Sequence, residues 1–174
     1  MIENNSDFNA ENTGILLISH GSRHPLASET FNQISDMYRE KTDFKVNVGY
    51  MEIHEPNIPT AINELVEGTE IDTIIAIPVF LAHGMHTTRD IPKILGLNDG
   101  EEEHKHSDAS EKEHKDHKHE EKHHHGHHHA HHHHHDIEKV DFDGKIIYTE
   151  PLGADPLVIE IIKNRVETAL KSNK

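Results

Sequence analysis

Residues 14–25 read GILLISHGSRHP, and the change of character inside this stretch decides the fold. Gly14–Ser19 is a continuous apolar run, the mark of a strand buried on both faces, and His20–Pro25 is a polar turn. A helix is predicted next, because Leu26, Phe31, Ile34 and the Met37-Tyr38 pair recur at intervals of three to five. Phe44, Val46, Val48 and Tyr50 then alternate as a second strand. Beyond a turn around Glu55-Pro56, Ile58, Ala61, Ile62, Leu65 and Val66 share a helical face. Pro59 suits the first turn of that helix and Gly68 its end.

Asp72–Phe80 (DTIIAIPVF) reads as a third buried strand, followed by the loop Leu81–His86 (LAHGMH). Thr87, Thr88 or Asp90 is placed to cap a short helix running to Leu97. Lys145–Thr149 (KIIYT) is a fourth strand. Asp155–Leu170 is a last amphipathic helix, with Val158, Ile161, Ile162, Val166, Ala169 and Leu170 as its inward face. The order βαβαβαβα predicts an α/β fold: an open, mainly parallel four-stranded sheet with helices on both faces, a flavodoxin-like half unit. The chain holds no second copy of this unit, so a two-lobed architecture would require two chains.

With 174 residues the chain is expected to form one domain over 13–174, after a polar, aperiodic tail at 1–12 read as disordered. Only 33% of the residues are hydrophobic, and the cause is local: 16 of the 21 His lie between His104 and His135. The segment 101–136 mixes them with Glu, Asp and Lys and cannot build a core. It is expected as a disordered insertion in a surface connection. Its imidazoles suit nickel, cobalt, copper or zinc in interchangeable geometries. It reads as a metal reservoir or delivery arm, or as a solvated loop with incidental metal affinity.

The formal net charge of −15 argues against a nucleic-acid partner. With an ordinary His pKa of about 6.5, half-protonation of the imidazoles moves that charge to roughly −5, so it is tunable near neutrality. Zero Cys excludes disulfides, thiolate metal sites and a Cys nucleophile. No apolar run approaches the length of a membrane span, and the N-terminus lacks the pattern of a signal peptide. A cytoplasmic protein without a membrane partner is the default expectation.

In an open parallel sheet, ligands collect outside the carboxyl ends of the strands. His20 follows the first strand, Glu52, His54 and Glu55 the second, and His83 and His86 the third. The predicted topology therefore brings His20 and His86 to one rim, where two neutral imidazoles suit cobalt, nickel or zinc and leave the site open. His24 and His54 read as surface residues, and His83 is intermediate. Glu55 is placed either to accept hydrogen bonds from a substrate N–H or to cap the helix near Ile58. Gly-x-Ser-x-Gly, Gly-x-Gly-x-x-Gly and Walker patterns are absent, which removes support for an α/β-hydrolase or a nucleotide binder.

Ile15–Pro25 (ILLISHGSRHP), Tyr50–Pro59 (YMEIHEPNIP), Pro78–Leu97 (PVFLAHGMHTTRDIPKILGL) and Glu150–Asp155 (EPLGAD) closely resemble the short archaeal sirohydrochlorin chelatases. These small class II lyases insert cobalt for cobalamin, or nickel for the coenzyme F430 of methanogenesis. The resemblance spans residues 13–170 and implies a homodimer with no tightly bound cofactor and Co²⁺ or Ni²⁺ as metal substrate. It implies that His20 and His86 hold the incoming metal, with His20 as proton acceptor. Glu55 and the loop of Leu81, Ala82, His83, Gly84, Met85 and His86 resemble the tetrapyrrole-binding positions. His54 in the Glu-Pro motif and the polar N-terminal extension depart from the pattern.

Sirohydrochlorin is a polycarboxylate, and Arg23, Arg89 and Lys93 on the same rim are candidate partners for its carboxylates. Insertion of iron for sirohaem is the same chemistry with another metal, and residue types do not separate these ions. A reading from a different class is a non-enzymatic nickel or cobalt storage protein or metallochaperone, whose His tract is the working part.

Overall fold

The computed structural model describes residues 8–97 and 139–172. The elements are β1 (Thr13–Ser19), α1 (Pro25–Arg39), β2 (Lys45–Tyr50), α2 (Ile58–Val66) and β3 (Thr73–Pro78). A π-helical turn (His86–Asp90) then runs into α3 (Ile91–Ile94), followed by β4 (Lys145–Tyr148) and α4 (Pro156–Ser172). The four strands form one parallel sheet in the order β2-β1-β3-β4. The expected α/β architecture is therefore present. The insertion at 101–136 lies outside the described residues.

β1 is hydrogen-bonded on both sides and covered on both faces, which is why its sequence is apolar without alternation. Successive side chains feed two cores. Leu16, Ile18, Ile74 and Ala76 pack with Ile62 and Leu65 of α2, Ile91 of α3 and Leu95 just after it. Ile15, Leu17, Val46, Val48 and Tyr50 pack with Phe31 of α1 on the opposite face. Right-handed crossovers explain this split, because β1→β2 moves one way across the sheet and β2→β3→β4 moves the other.

Local chemistry sets the helix starts. Asn57 Oδ1 accepts from Thr60 N at 2.9 Å and caps α2, with Pro59 in its first turn. His24, expected as a plain surface residue, caps α1 through Nδ1, which accepts from Leu26 N at 3.3 Å. Part of the expected tail is structured: Thr13 N donates to Asn9 O, and Asp72 N and Thr73 N both donate to Asn12 O. Residues 1–7 lie outside the described residues.

Two helix faces differ from expectation. Within α1 only Phe31 and Ser35 are buried, while Leu26 and Met37 are 60% and 59% exposed. No residue of α4 is buried, and Ile161, Ile162, Val166 and Leu170 of its expected inward face are all more than half exposed. Periodicity marks a face as apolar, and these two faces are apolar without being covered by the described chain. No helix among the described residues is long and apolar enough to cross a membrane.

Candidate metal centre

β1 and β3 are neighbours at the point where the strand order reverses, so both of their exit loops lie at the same carboxyl edge, where ligands collect in open parallel sheets. His20 leaves β1 at this edge. Its backbone is held by ladder bonds that outlast the strands: Met51 N donates to Ser19 O and Glu52 N to His20 O, each at 3.0 Å. Gly21 follows with φ 91°, a conformation that favours glycine, and a Cβ there would collide with the Glu52 carbonyl oxygen.

His86 opens the π-helical turn after the β3 loop. Thr87 and Thr88 tie this turn to Gly84: Gly84 N donates to Thr87 Oγ1 at 2.9 Å and Thr88 Oγ1 donates to Gly84 O at 2.9 Å. Ile91 N donates to His86 O, and Pro92 has no N–H to offer the Thr87 carbonyl as a partner. Tyr148 at the end of β4 supplies one, its hydroxyl donating to Thr87 O at 2.9 Å. Burial, with Glu150 nearby, pushes the Tyr148 phenol up to about 12, so it remains a donor at neutral pH.

The two imidazoles meet. Their centroids are 4.8 Å apart and their planes 70° apart, edge to face. His20 Nδ1 lies 3.0 Å from Gly21 O, and His86 Nδ1 lies 2.9 Å from Asp90 Oδ2. Both neighbours only accept, so Nδ1 is the donor in each contact, and in the neutral imidazole Nε2 is then the nitrogen with the lone pair. A centroid spacing of 4.8 Å is compatible with two imidazoles sharing one ion at metal–nitrogen distances of about 2.1 Å. No group of three or more potential ligands forms among the described residues.

Asp90 is the residue that sequence reasoning missed. It was a candidate cap, but its side chain makes no capping bond. It accepts from His86 and, through Oδ1, from Arg89 Nε at 2.8 Å. Burial acts to raise the Asp90 carboxyl, and the hydrogen bonds from Arg89 and His86 outweigh it, leaving the group below its ordinary value. The four-residue spacing in HTTRD, one helical turn, was the available signal.

The remaining candidates lie on the segments that follow β1, β2 and β3. His83 Nε2 lies 2.7 Å from Glu150 Oε2, both exposed, so His83 faces the β4 exit. Glu55 is exposed and its Oε2 accepts from Asn57 N at 2.7 Å, while Asn57 takes the capping role. Leu81, Ala82, Gly84 and Met85 are exposed on the loop, as are Arg23, Arg89 and Lys93 on their own segments. His54 is half buried, its ring 5.3 Å from that of Tyr50.

The CbiX family model matches residues 14–169. The chain belongs to the CbiX family. Among curated CbiX relatives, the sirohydrochlorin cobaltochelatase of Methanothermobacter thermautotrophicus is 47% identical over 157 residues, 90% of this chain and 92% of the relative. That of Methanopyrus kandleri is 45% identical over 157 residues, covering 90% and 96%. A CbiX crystal structure from Marinobacter aquaeolei superposes with a TM-score of 0.60 at 21% identity, over 92% of this chain and 97% of that one. SirB from Bacillus subtilis has the same fold, with a TM-score of 0.59 at 18% identity, over 91% of this chain. The match spans only 47% of the SirB chain.

Proposed function

We propose that this CbiX chain is a lyase that inserts a divalent metal, Co²⁺ foremost, into sirohydrochlorin. The observation that carries the reading is the His20–His86 pair, two imidazoles 4.8 Å apart with each Nδ1 set against an acceptor oxygen, in a chain whose relatives are cobaltochelatases. Metallation releases two pyrrole N–H protons while the ion exchanges water and protein ligands for four ring nitrogens. Two protein ligands suffice to hold an ion that must leave, whereas a closed set of four would trap it. His86 keeps the ion at the rim, His20 accepts one pyrrole proton as it gives the ion up, a role suited to imidazole at neutral pH, and the second proton passes to solvent.

The exposed loop Leu81–His86 and Glu55 are the macrocycle-binding positions in this proposal, with Leu81 and Met85 offering apolar contact to its face. The free Glu55 oxygen accepts a pyrrole N–H. Arg23 and Arg89 answer the substrate carboxylates, which the net charge of −15 otherwise repels. The apolar faces of α1 and α4 support a homodimer. Nickel insertion, and a reservoir role for the 101–136 tract, belong to the same proposal.

The test is anaerobic incubation of the full chain with sirohydrochlorin and limiting Co²⁺ or Ni²⁺, followed by the absorption change of metal insertion. Insertion above the spontaneous rate, lost in His86→Ala and kept in a 101–136 deletion, is expected. Metal uptake through the tract without insertion would instead support storage.

A further inference from the structure

The two imidazoles are supported unequally. His20 Nδ1 meets a neutral peptide carbonyl, that of its neighbour Gly21. His86 Nδ1 meets the Asp90 carboxylate, and Asp90 is gripped in turn by Arg89. We infer that Asp90 is a positioning residue: it holds His86 as the Nδ1–H tautomer, presents the Nε2 lone pair to the ion, and makes His86 the firmer ligand of the pair.

Three observations separate this role from ordinary fold maintenance. The Asp90 side chain caps nothing, although it stands at the start of α3. Its bond to Arg89 involves a guanidinium that is 61% exposed, and such pairs contribute little to stability in water. The Asp90 carboxylate is only 20% exposed while its partner His86 is 41% exposed, so the anion lies behind the imidazole and the imidazole faces solvent. An anion behind a metal-binding imidazole fixes the ring orientation and raises its donor strength.

The inequality has a chemical use. Transfer to a macrocycle needs one ligand that holds and one that releases, and two equal ligands would either lose the ion early or retain it. Asp90 breaks that equality without adding a third ligand. The reference to a metal rests on the chelatase proposal; the tautomer does not.

The experiment compares full-length wild type, Asp90→Ala and Asp90→Asn by two readouts. Long-range ¹H–¹⁵N correlation identifies the His86 tautomer, its signals recognised by their loss in His86→Gln. Kinetics at buffered free Co²⁺, which removes uptake by the His-rich tract from the comparison, separates the two KM values. The expected result is Nδ1–H in wild type, a shift toward Nε2–H in Asp90→Ala, and retention in Asp90→Asn, which keeps an acceptor oxygen. KM for Co²⁺ should rise about 10- to 100-fold in Asp90→Ala with KM for sirohydrochlorin unchanged, and recover in part in Asp90→Asn. An unchanged tautomer in Asp90→Ala overturns the inference, as does a changed tautomer with KM for Co²⁺ unaltered. If the tautomer responds as stated but wild type inserts no metal, the chelatase reading fails and the positioning of His86 by Asp90 stands.

Discussion

His20 and His86 stand edge to face at 4.8 Å although they are 66 positions apart in the chain, because β1 and β3 are neighbours and both end at the same edge. The proposal gives each a separate task, so their loss should look different. His20→Ala removes the proton acceptor and should lower kcat for cobalt insertion by about 10²–10⁴-fold. His86→Ala removes the anchor and should raise KM for Co²⁺ first. Steady-state kinetics at varied free Co²⁺ distinguishes them, and equal effects of the two variants on both parameters would refute the division of labour.

Gly21 controls where His20 points. Its φ of 91° and its contact with the Glu52 carbonyl leave no room for a side chain. Gly68 also has positive φ, at 68°, but nothing lies near its Cβ position. Gly68→Ala should therefore lose about 1 kcal/mol from the backbone alone and keep its activity. Gly21→Ala should lose more, about 1–3 kcal/mol, together with metal insertion. Urea melts beside the insertion assay check this, and equal stability and activity in the two variants would show that the Glu52 contact is immaterial.

The sheet and the histidine pair were legible because strand burial writes itself into composition. GILLIS is apolar throughout because β1 is central, and DTIIAIPVF reads the same way beside it, so the loops after them had to meet. The role of Asp90 was not legible, since Asp after a loop suits a helix cap as well as a partner for His86. Only side-chain direction decides between them. Tyr148 was hidden differently: its hydroxyl answers a need created by the missing N–H of Pro92, far away in sequence. In α4 the periodicity showed an apolar face and carried no information on which surface covers it.

Tyr148 ties β4 to the turn that carries His86, and this bond is expected to persist well into alkaline pH. The folded-state value of about 12 lies above the ordinary phenol value of about 10. The protonated form is therefore favoured by folding. The contribution is fully present below pH 10, and is lost as pH rises toward 12. A difference absorbance titration of wild type minus Tyr148→Phe should show a phenol ionising near 12; a midpoint near 10 would contradict the buried placement. At neutral pH, Tyr148→Phe leaves the Thr87 carbonyl without its donor and should cost about 1–3 kcal/mol in urea unfolding.

Ile161, Ile162, Val166 and Leu170 on α4, and Leu26 and Met37 on α1, are large apolar side chains left exposed, and exposed apolar patches mark interaction surfaces. A second copy of the chain is the proposed cover. Ile161→Glu combined with Val166→Glu places charge on that surface without touching β1, β3 or the histidine turn. Sedimentation should show wild type as a dimer at micromolar concentration and the variant as a monomer with a lowered thermal midpoint. Covering each of these side chains contributes about 1.5–3 kcal/mol, so two charged replacements are enough to dissociate a micromolar dimer. A wild-type chain that sediments as a monomer while inserting cobalt would exclude the homodimer and leave α4 to another partner.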